Sequence, residues 1–400
     1  MWLDALDQAQ LHRELAIAIL DSALAAPGRK RAFAAAVGIT PQYLSYLCDP
    51  LGPHQPSPAL AEWLAAALPG DRELRQRLLG HLLGARAARA VGRRAVRGDV
   101  ADLTAALITL RAARDAATFA PDPAVAARQY RVVRDAVAAL LPGVSPARSP
   151  LDFCELCLLA HDVECVLNAA DRALWYARQA QAVLTDVQAA DGLPADPRFA
   201  HYTVNIPMAV AVAYNNLRLP AQALGAYAAA VAAAGADGPA ALAFWLPHLH
   251  RGWINTLAKQ PRFTLGDVTG LADQARRAGE RRSGPDDALL AVLLAEAEGR
   301  AYIQYGNLRK AAVVLTGLVE QADRVPQIGP LHQAIIRKTV AGLHWARGDK
   351  TAWADWIGQA LTIGQAARLT HQVAGIVRTY GAAVAPLLVE IAAPPPPPRR

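Results

Sequence analysis

The apolar positions of this 400-residue chain fall in long Ala/Leu-rich stretches, and β-branched or aromatic runs of strand length are scarce. Ala and Leu are strong helix formers, so the pattern predicts an all-α chain. The length exceeds what one small core organises, which predicts two or more domains or a repeat array. Near the N-terminus the helical pattern breaks sharply. A first helix is predicted from about Gln8 to Ala26, stopped by Pro27-Gly28. A second opens at "RKR" and runs through Ala32 to Val37. Gly38 then supplies a left-handed turn residue, Thr40 is a good N-cap, and Pro41 takes the first helical position, where its missing N–H costs nothing. The third helix spans about Pro41 to Cys48 and ends at Asp49-Pro50. Phe33, Val37, Ile39, Leu44 and Leu47 are spaced to pack the two short helices across the turn. "HQPSPALAEWLAAALPGD" predicts a fourth helix, capped by Ser57, with Leu60, Trp63, Leu64 and Leu68 facing the core. Together these make a helix-turn-helix pattern.

Charge is uneven. The chain carries a formal +7, and residues 1–98 hold 12 Lys/Arg against 8 Asp/Glu. Within them "RAARAVGRRAVR" (86–97) has five Arg and no acid. Such an excess fits an anionic partner, nucleic acid before membrane, or a solvated basic helix face. Mean hydropathy is +0.14, yet no uninterrupted apolar run approaches the ~18–20 residues of a membrane span. The start, with Asp4, Asp7 and Glu14, lacks the basic region of a signal peptide, and four Cys make no disulfide framework. A cytoplasmic protein without membrane contact is expected.

The stretch "FAAAVGITPQYLSYL" resembles, position by position, the DNA-binding domain of the Cro/C1-type repressors (XRE family), and the likeness covers about residues 8–80. The resemblance implies a recognition helix in the major groove of double-stranded DNA. Gln42, Tyr43, Ser45 and Tyr46 would then face base edges or phosphate, beside the cap Thr40, while Arg29, Lys30 and Arg31 meet a backbone phosphate at a helix start. The helix departs from the family in being short of cations, which shifts readout toward DNA shape.

Beyond residue 98 the helical stretches pair with a period of about 40 to 50 residues. In "GRAYIQYGNLRKAAVVLTGLVEQA" a small residue (Gly299) is followed by an aromatic (Tyr302), a turn glycine (Gly306), a small contact residue (Ala311) and a large apolar one (Leu315). "GLHWARGDKTAWADWIGQALTIG", with turn Gly348, and "AYNNLRLPAQALGAYAAAVAAA", with Tyr214, Ala223, Tyr227 and Ala230, repeat it more loosely. "ECVLNAADRALWYARQAQAV" is another loose copy, and the region around Ile254 is degenerate. Turn positions fall near 168, 218, 258, 306 and 348. The spacing resembles the tetratricopeptide repeat, which implies a right-handed α-solenoid with a concave face. In that register Glu155, Asp162, Asn205, Asn215, Trp245, His248, Asn255, Glu296, Arg300, Gln304, Lys338 and Trp345 point inward. Asn205, Asn215, His248, Asn255, Glu296, Arg300, Gln304 and Lys338 are the candidate ligand-binding residues. Side-chain amides among them suit an extended peptide backbone.

The expected order is thus a helix-turn-helix domain (1–80), a basic linker helix (81–98), a tetratricopeptide-like domain (99–390) and a disordered Pro-rich tail (391–400). The combination resembles bacterial regulators that sense short peptides. It implies a DNA-binding transcription regulator, a homodimer, whose repeat domain senses a short peptide or takes a protein partner. The alternative is a repeat scaffold for protein assembly whose head does not read DNA. No phosphate-cradling glycine loop, nucleophile motif or His-Glu-x-x-His occurs, so neither an enzyme nor a cofactor is expected. Cys154, Cys157, His161 and Cys165 share a helix face, but the outer two stand about 16 Å apart along it, too far to wrap one zinc. They read as a buried stripe, with no metal.

Overall fold

The computed structural model describes residues 2–48, 55–98, 103–118, 123–190, 196–235, 245–260, 262–280, 287–366 and 370–392. Among these residues the chain is all-helical and has no strand. None of the described helices is long and apolar enough to cross a membrane. The Asp49-Pro50 stop and the tail from 393 onward lie outside the described residues. Contacts divide the chain into two compact units, Met1–Pro121 with Val125–Leu167, and Asp122–Ala124 with Asn168–Arg400.

The first unit opens with α1 (Trp2–Ala23), α2 (Arg29–Val37), α3 (Pro41–Leu47), α4 (Pro58–Ala67) and α5 (Arg72–Gly98). Caps set the bounds of the short helices. Thr40 Oγ1 accepts from the Tyr43 N–H at 3.0 Å, and Ser57 Oγ accepts from the Leu60 N–H at 3.2 Å, each ahead of a proline in the first turn. α2 ends on Gly38 at φ 74°, whose N–H donates to Ala35 O at 3.1 Å while that of Ile39 donates to Ala34 O at 3.0 Å. This paired return to the last carbonyls needs a left-handed residue, and glycine reaches it without steric cost.

α2, α3 and α4 close with α1 and α5 over Leu20, Leu24, Phe33, Val37, Leu44, Leu47, Leu64, Leu68 and Leu78, with Ile39 and Leu60 packed half-buried against them. Trp63 departs from expectation and is 62% exposed. The buried positions of α4 are Ala61, Leu64 and Ala65, a stripe at three- and four-residue spacing that leaves residue 63 on the other side.

Residues 81–98 are the last two thirds of α5, continuous with residues 72–80 in one helix that packs extensively along α1. The unit continues with α6 (Leu103–Thr118), α7 (Pro123–Leu140) and α8 (Pro150–Val166). Buried charges hold α7: Asp135 accepts from Arg89 of α5 and from Gln10 Nε2 of α1 at 3.0 Å, and Glu14 of α1 pairs with Arg131 and with Arg128 at 3.3 Å. Glu155 and Asp162 pair with Arg111 (2.5 Å) and Arg114 (2.7 Å), tying α8 to α6 inside this unit. Their expected place on an inward repeat surface is therefore taken by ion pairs.

The second unit comprises α9 (Ala170–Ala189), α10 (Pro197–Asn216), α11 (Pro220–Ala234), α12 (Leu246–Leu257), α13 (Leu265–Glu280), α14 (Asp287–Tyr305), α15 (Leu308–Leu315), α16 (Leu318–Arg324), α17 (Pro330–Ala346), α18 (Lys350–Ala366), α19 (Thr370–Tyr380) and α20 (Ala385–Ala392). Helices adjacent in sequence pack together, and α10, α12, α14 and α17 also touch in that order, forming a row. Four expected turn positions are left-handed: Asn168 (φ 58°), Arg218 (φ 61°), Gly306 (φ 87°) and Gly348 (φ 77°). Position 258 is not, since Ala258 ends α12 at φ −58°. Small residues permit close nesting. A methyl at Gly299 would stand 2.5 Å from Leu315 Cδ2, and one at Gly252 would stand 2.4 Å from the Tyr227 hydroxyl. Trp345, expected to face inward, joins Trp353 and Tyr380 in an aromatic group with ring centroids 5.0 and 5.3 Å away.

Candidate functional site

Two surfaces gather the residues singled out in the sequence. On the first unit, α3 presents Gln42, Ser45 and Tyr46 to solvent above buried Leu44 and Leu47. Gln42 Nε2 donates to the Tyr46 hydroxyl at 2.9 Å, one helical turn on, and the Ser45 hydroxyl donates to Pro41 O at 3.0 Å. Tyr43 is half-buried against the core, and Thr40 is occupied as the cap. At the start of α2, Arg29, Lys30 and Arg31 are all exposed. Lys30 is paired with Asp21 at 2.7 Å, a hydrogen bond that raises its pKa, and Arg29 reaches Ala23 O at 3.5 Å. The local positive charge is thus partly cancelled by α1.

The Arg-rich segment of α5 turns inward in part. Arg89 is buried against Asp135, and Arg93 lies 3.7 Å from the same carboxylate. Arg89 is thus committed to a tertiary ion pair, while Arg93 beside it keeps 38% of its side chain exposed. Arg13, Arg131 and Arg134 are buried in the same unit, and burial together with Arg134 and Arg89 pushes Arg13 down to about 10.

On the second unit the row α10–α12–α14–α17 brings together Asn215, Asn255, Glu296, Arg300 and Lys338, five of the residues expected to share a surface. Buried Glu296 accepts from Arg300 Nη2 at 2.7 Å and from the Thr339 hydroxyl at 2.6 Å. Asn255 Oδ1 accepts from Arg300 Nη2 at 2.8 Å, and Asn215 Oδ1 accepts from Lys259 Nζ at 2.7 Å. Asn205 and Gln304 do not bond into this network, and His248 lies beside Trp245, ring centroids 6.3 Å apart. Arg251, Lys259, His332 and Thr339 join the site without having been foreseen. The available signal was spacing, because 251, 255 and 259 fall four apart on one face of a helix running into its cap.

Electrostatics set this site apart. Burial and the charges of Arg300, Arg218 and Lys338 push the Lys259 ammonium down to about 8. Burial and then Arg300 lower Lys338, and burial chiefly lowers Arg251. Burial and Arg251 hold His332 at about 4, hence neutral. Among the described residues Glu296 is the carboxylate that acts on Arg251, His332 and Lys338. Around α8, burial raises the Cys154 and Cys157 thiols to about 12, so neither is a ready thiolate. Among the described residues no group of three or more His, Cys, Asp or Glu is placed to hold a metal ion. No protein-family model matches the chain, and no curated protein matches it.

Proposed function

We propose that the protein is a cytoplasmic DNA-binding transcription regulator, working as a homodimer, whose helical-repeat unit binds a ligand. The observation that carries the reading is the α2–turn–α3 geometry. A left-handed glycine and a Thr cap place a short helix whose apolar side closes the core while Gln42, Ser45 and Tyr46 stand outward. Side chains of this kind on a helix in the major groove read donor and acceptor patterns. Two such heads in a dimer require half-sites at matching separation, so a ligand that changes their spacing alters affinity by a coupling of about 1–3 kcal/mol.

Two contacts favour a second reading. The Gln42–Tyr46 bond and the Lys30–Asp21 pair engage the residues that DNA contact requires, as suits a head that serves protein assembly. Purified full-length protein incubated with genomic fragments at about 150 mM salt separates the two. A regulator enriches an inverted repeat, and Gln42→Ala or Tyr46→Ala abolishes that enrichment while circular dichroism and mass stay unchanged. Retention that ignores both substitutions would favour the scaffold.

A further inference from the structure

We infer that the row α10–α12–α14–α17 binds a compact oxyanion carrying two or more negative charges, a phosphate or paired carboxylates, held by Arg251, Lys259, Arg300 and Lys338. This names the chemical class of the ligand that the proposed function assigns to the unit, and it stands whether or not the first unit reads DNA.

Three observations converge. First, Arg251, Arg300 and Lys338, from consecutive members of the row, act with one buried carboxylate, Glu296, whose oxygens are already bonded to Arg300 and Thr339, and Lys259 follows the cap of α12 beside Asn215. Like charges in a shared, partly dehydrated space repel, and a cluster with this excess of cations among the described residues costs stability unless an anion enters it. Second, buried Nε atoms of Arg251 and Arg300 have no hydrogen-bond partner among the described residues. Guanidinium N–H groups turned inward without an acceptor are suited to a carboxylate or phosphate oxygen. Third, the amides expected to grip a peptide backbone hold the cations instead. Asn215 bonds Lys259 and Asn255 bonds Arg300, which preorganises two long, flexible side chains. Lys259 is exposed while its ammonium feels the charges of Arg300, Arg218 and Lys338, so this side of the cluster is open to a solute. Cations on neighbouring helices that share the charge of Glu296 suit a compact dianion.

The test is calorimetric titration of the full-length protein with inorganic phosphate, pyrophosphate and succinate, with glycerol as the neutral control. Saturable binding of at least one anion and none of glycerol is expected. Preference for phosphate and pyrophosphate identifies a phosphate-bearing ligand, and preference for succinate identifies a carboxylate-bearing one. Lys338→Met should weaken binding about tenfold, the loss of one charge-assisted contact. Glu296→Gln keeps an acceptor for Thr339 and removes the competing charge, so affinity should rise by about the same factor. A gain of affinity cannot come from damage to the fold. No saturable binding to any of the three anions, equal binding by the wild type and Lys338→Met, or displacement of the bound anion by duplex DNA would each overturn the inference. An inverted repeat enriched by a protein that binds no anion would sink this inference and leave the regulator standing. Anion binding by a protein that enriches no motif would do the reverse.

Discussion

His250 shows how much a single side chain depends on where it is put. It is buried on α12, its Nδ1 lies 3.3 Å from Leu271 O, and burial holds its imidazole at about 4. The folded chain therefore refuses a proton that the unfolded chain accepts between pH 6.5 and 4. Stability is full above that window and falls as pH falls through it, by up to about 3 kcal/mol for this group. His250→Gln should flatten the slope, read as the change in urea midpoint between about pH 7 and pH 5. His332, also held at about 4, contributes in the same direction. Nothing in the sequence separates His250 from His248 two positions earlier, since both sit in one helical stretch. The candidate site was more legible: Asn255, Glu296 and Arg300 share a register set by turn residues and aromatics. Arg251 and Lys259 escaped because the repeat around Ile254 is degenerate, although their spacing from Asn255 places all three on one face.

At the scale of elements, local chemistry decided most boundaries. Thr40-Pro41 and Ser57-Pro58 start helices as capping residues should, and Gly38 ends α2 through a backbone return that needs φ 74°. A methyl added at Gly38 would meet nothing within 4 Å, so Gly38→Ala isolates the backbone term. It should cost about 1–2 kcal/mol, measured as a lower denaturant midpoint with an unchanged slope. Arg218 adopts the same left-handed region without being glycine, and no local sequence rule announces that. Trp63 went the other way: a large aromatic was expected inward, but three small or aliphatic neighbours at helical spacing took the core. Side-chain size is a weaker guide to burial than position on the stripe.

At the scale of the whole molecule, long-range ion pairs decide what packs with what. Asp135 of α7 is bonded to Arg89 of α5 and to Gln10 of α1, and neighbouring Glu14 holds Arg131, so helices more than a hundred residues apart in sequence belong to one unit. Removing the carboxylate leaves several buried guanidinium groups uncompensated. Asp135→Ala should destabilise the first unit by about 3–5 kcal/mol, seen as an early transition in calorimetric unfolding. The basic run 86–97 carried no hint of this. Five Arg without an acid read as a surface for anions, because the partner of Arg89 and Arg93 lies on a helix some forty residues away. The cation cluster of the second unit is equally a product of distance, assembled from α12 and the residues just after it, α14 and α17.

The sequence by itself determined the helical class, the Gly38 turn, the Thr40 and Ser57 caps, and turns at 168, 306 and 348, because these depend on neighbours within about one or two turns. The tertiary structure alone decided which charges are buried, which helix each Arg answers to, and where cations outnumber carboxylates. Those outcomes depend on desolvation and on partners from distant segments, and neither is encoded in local spacing.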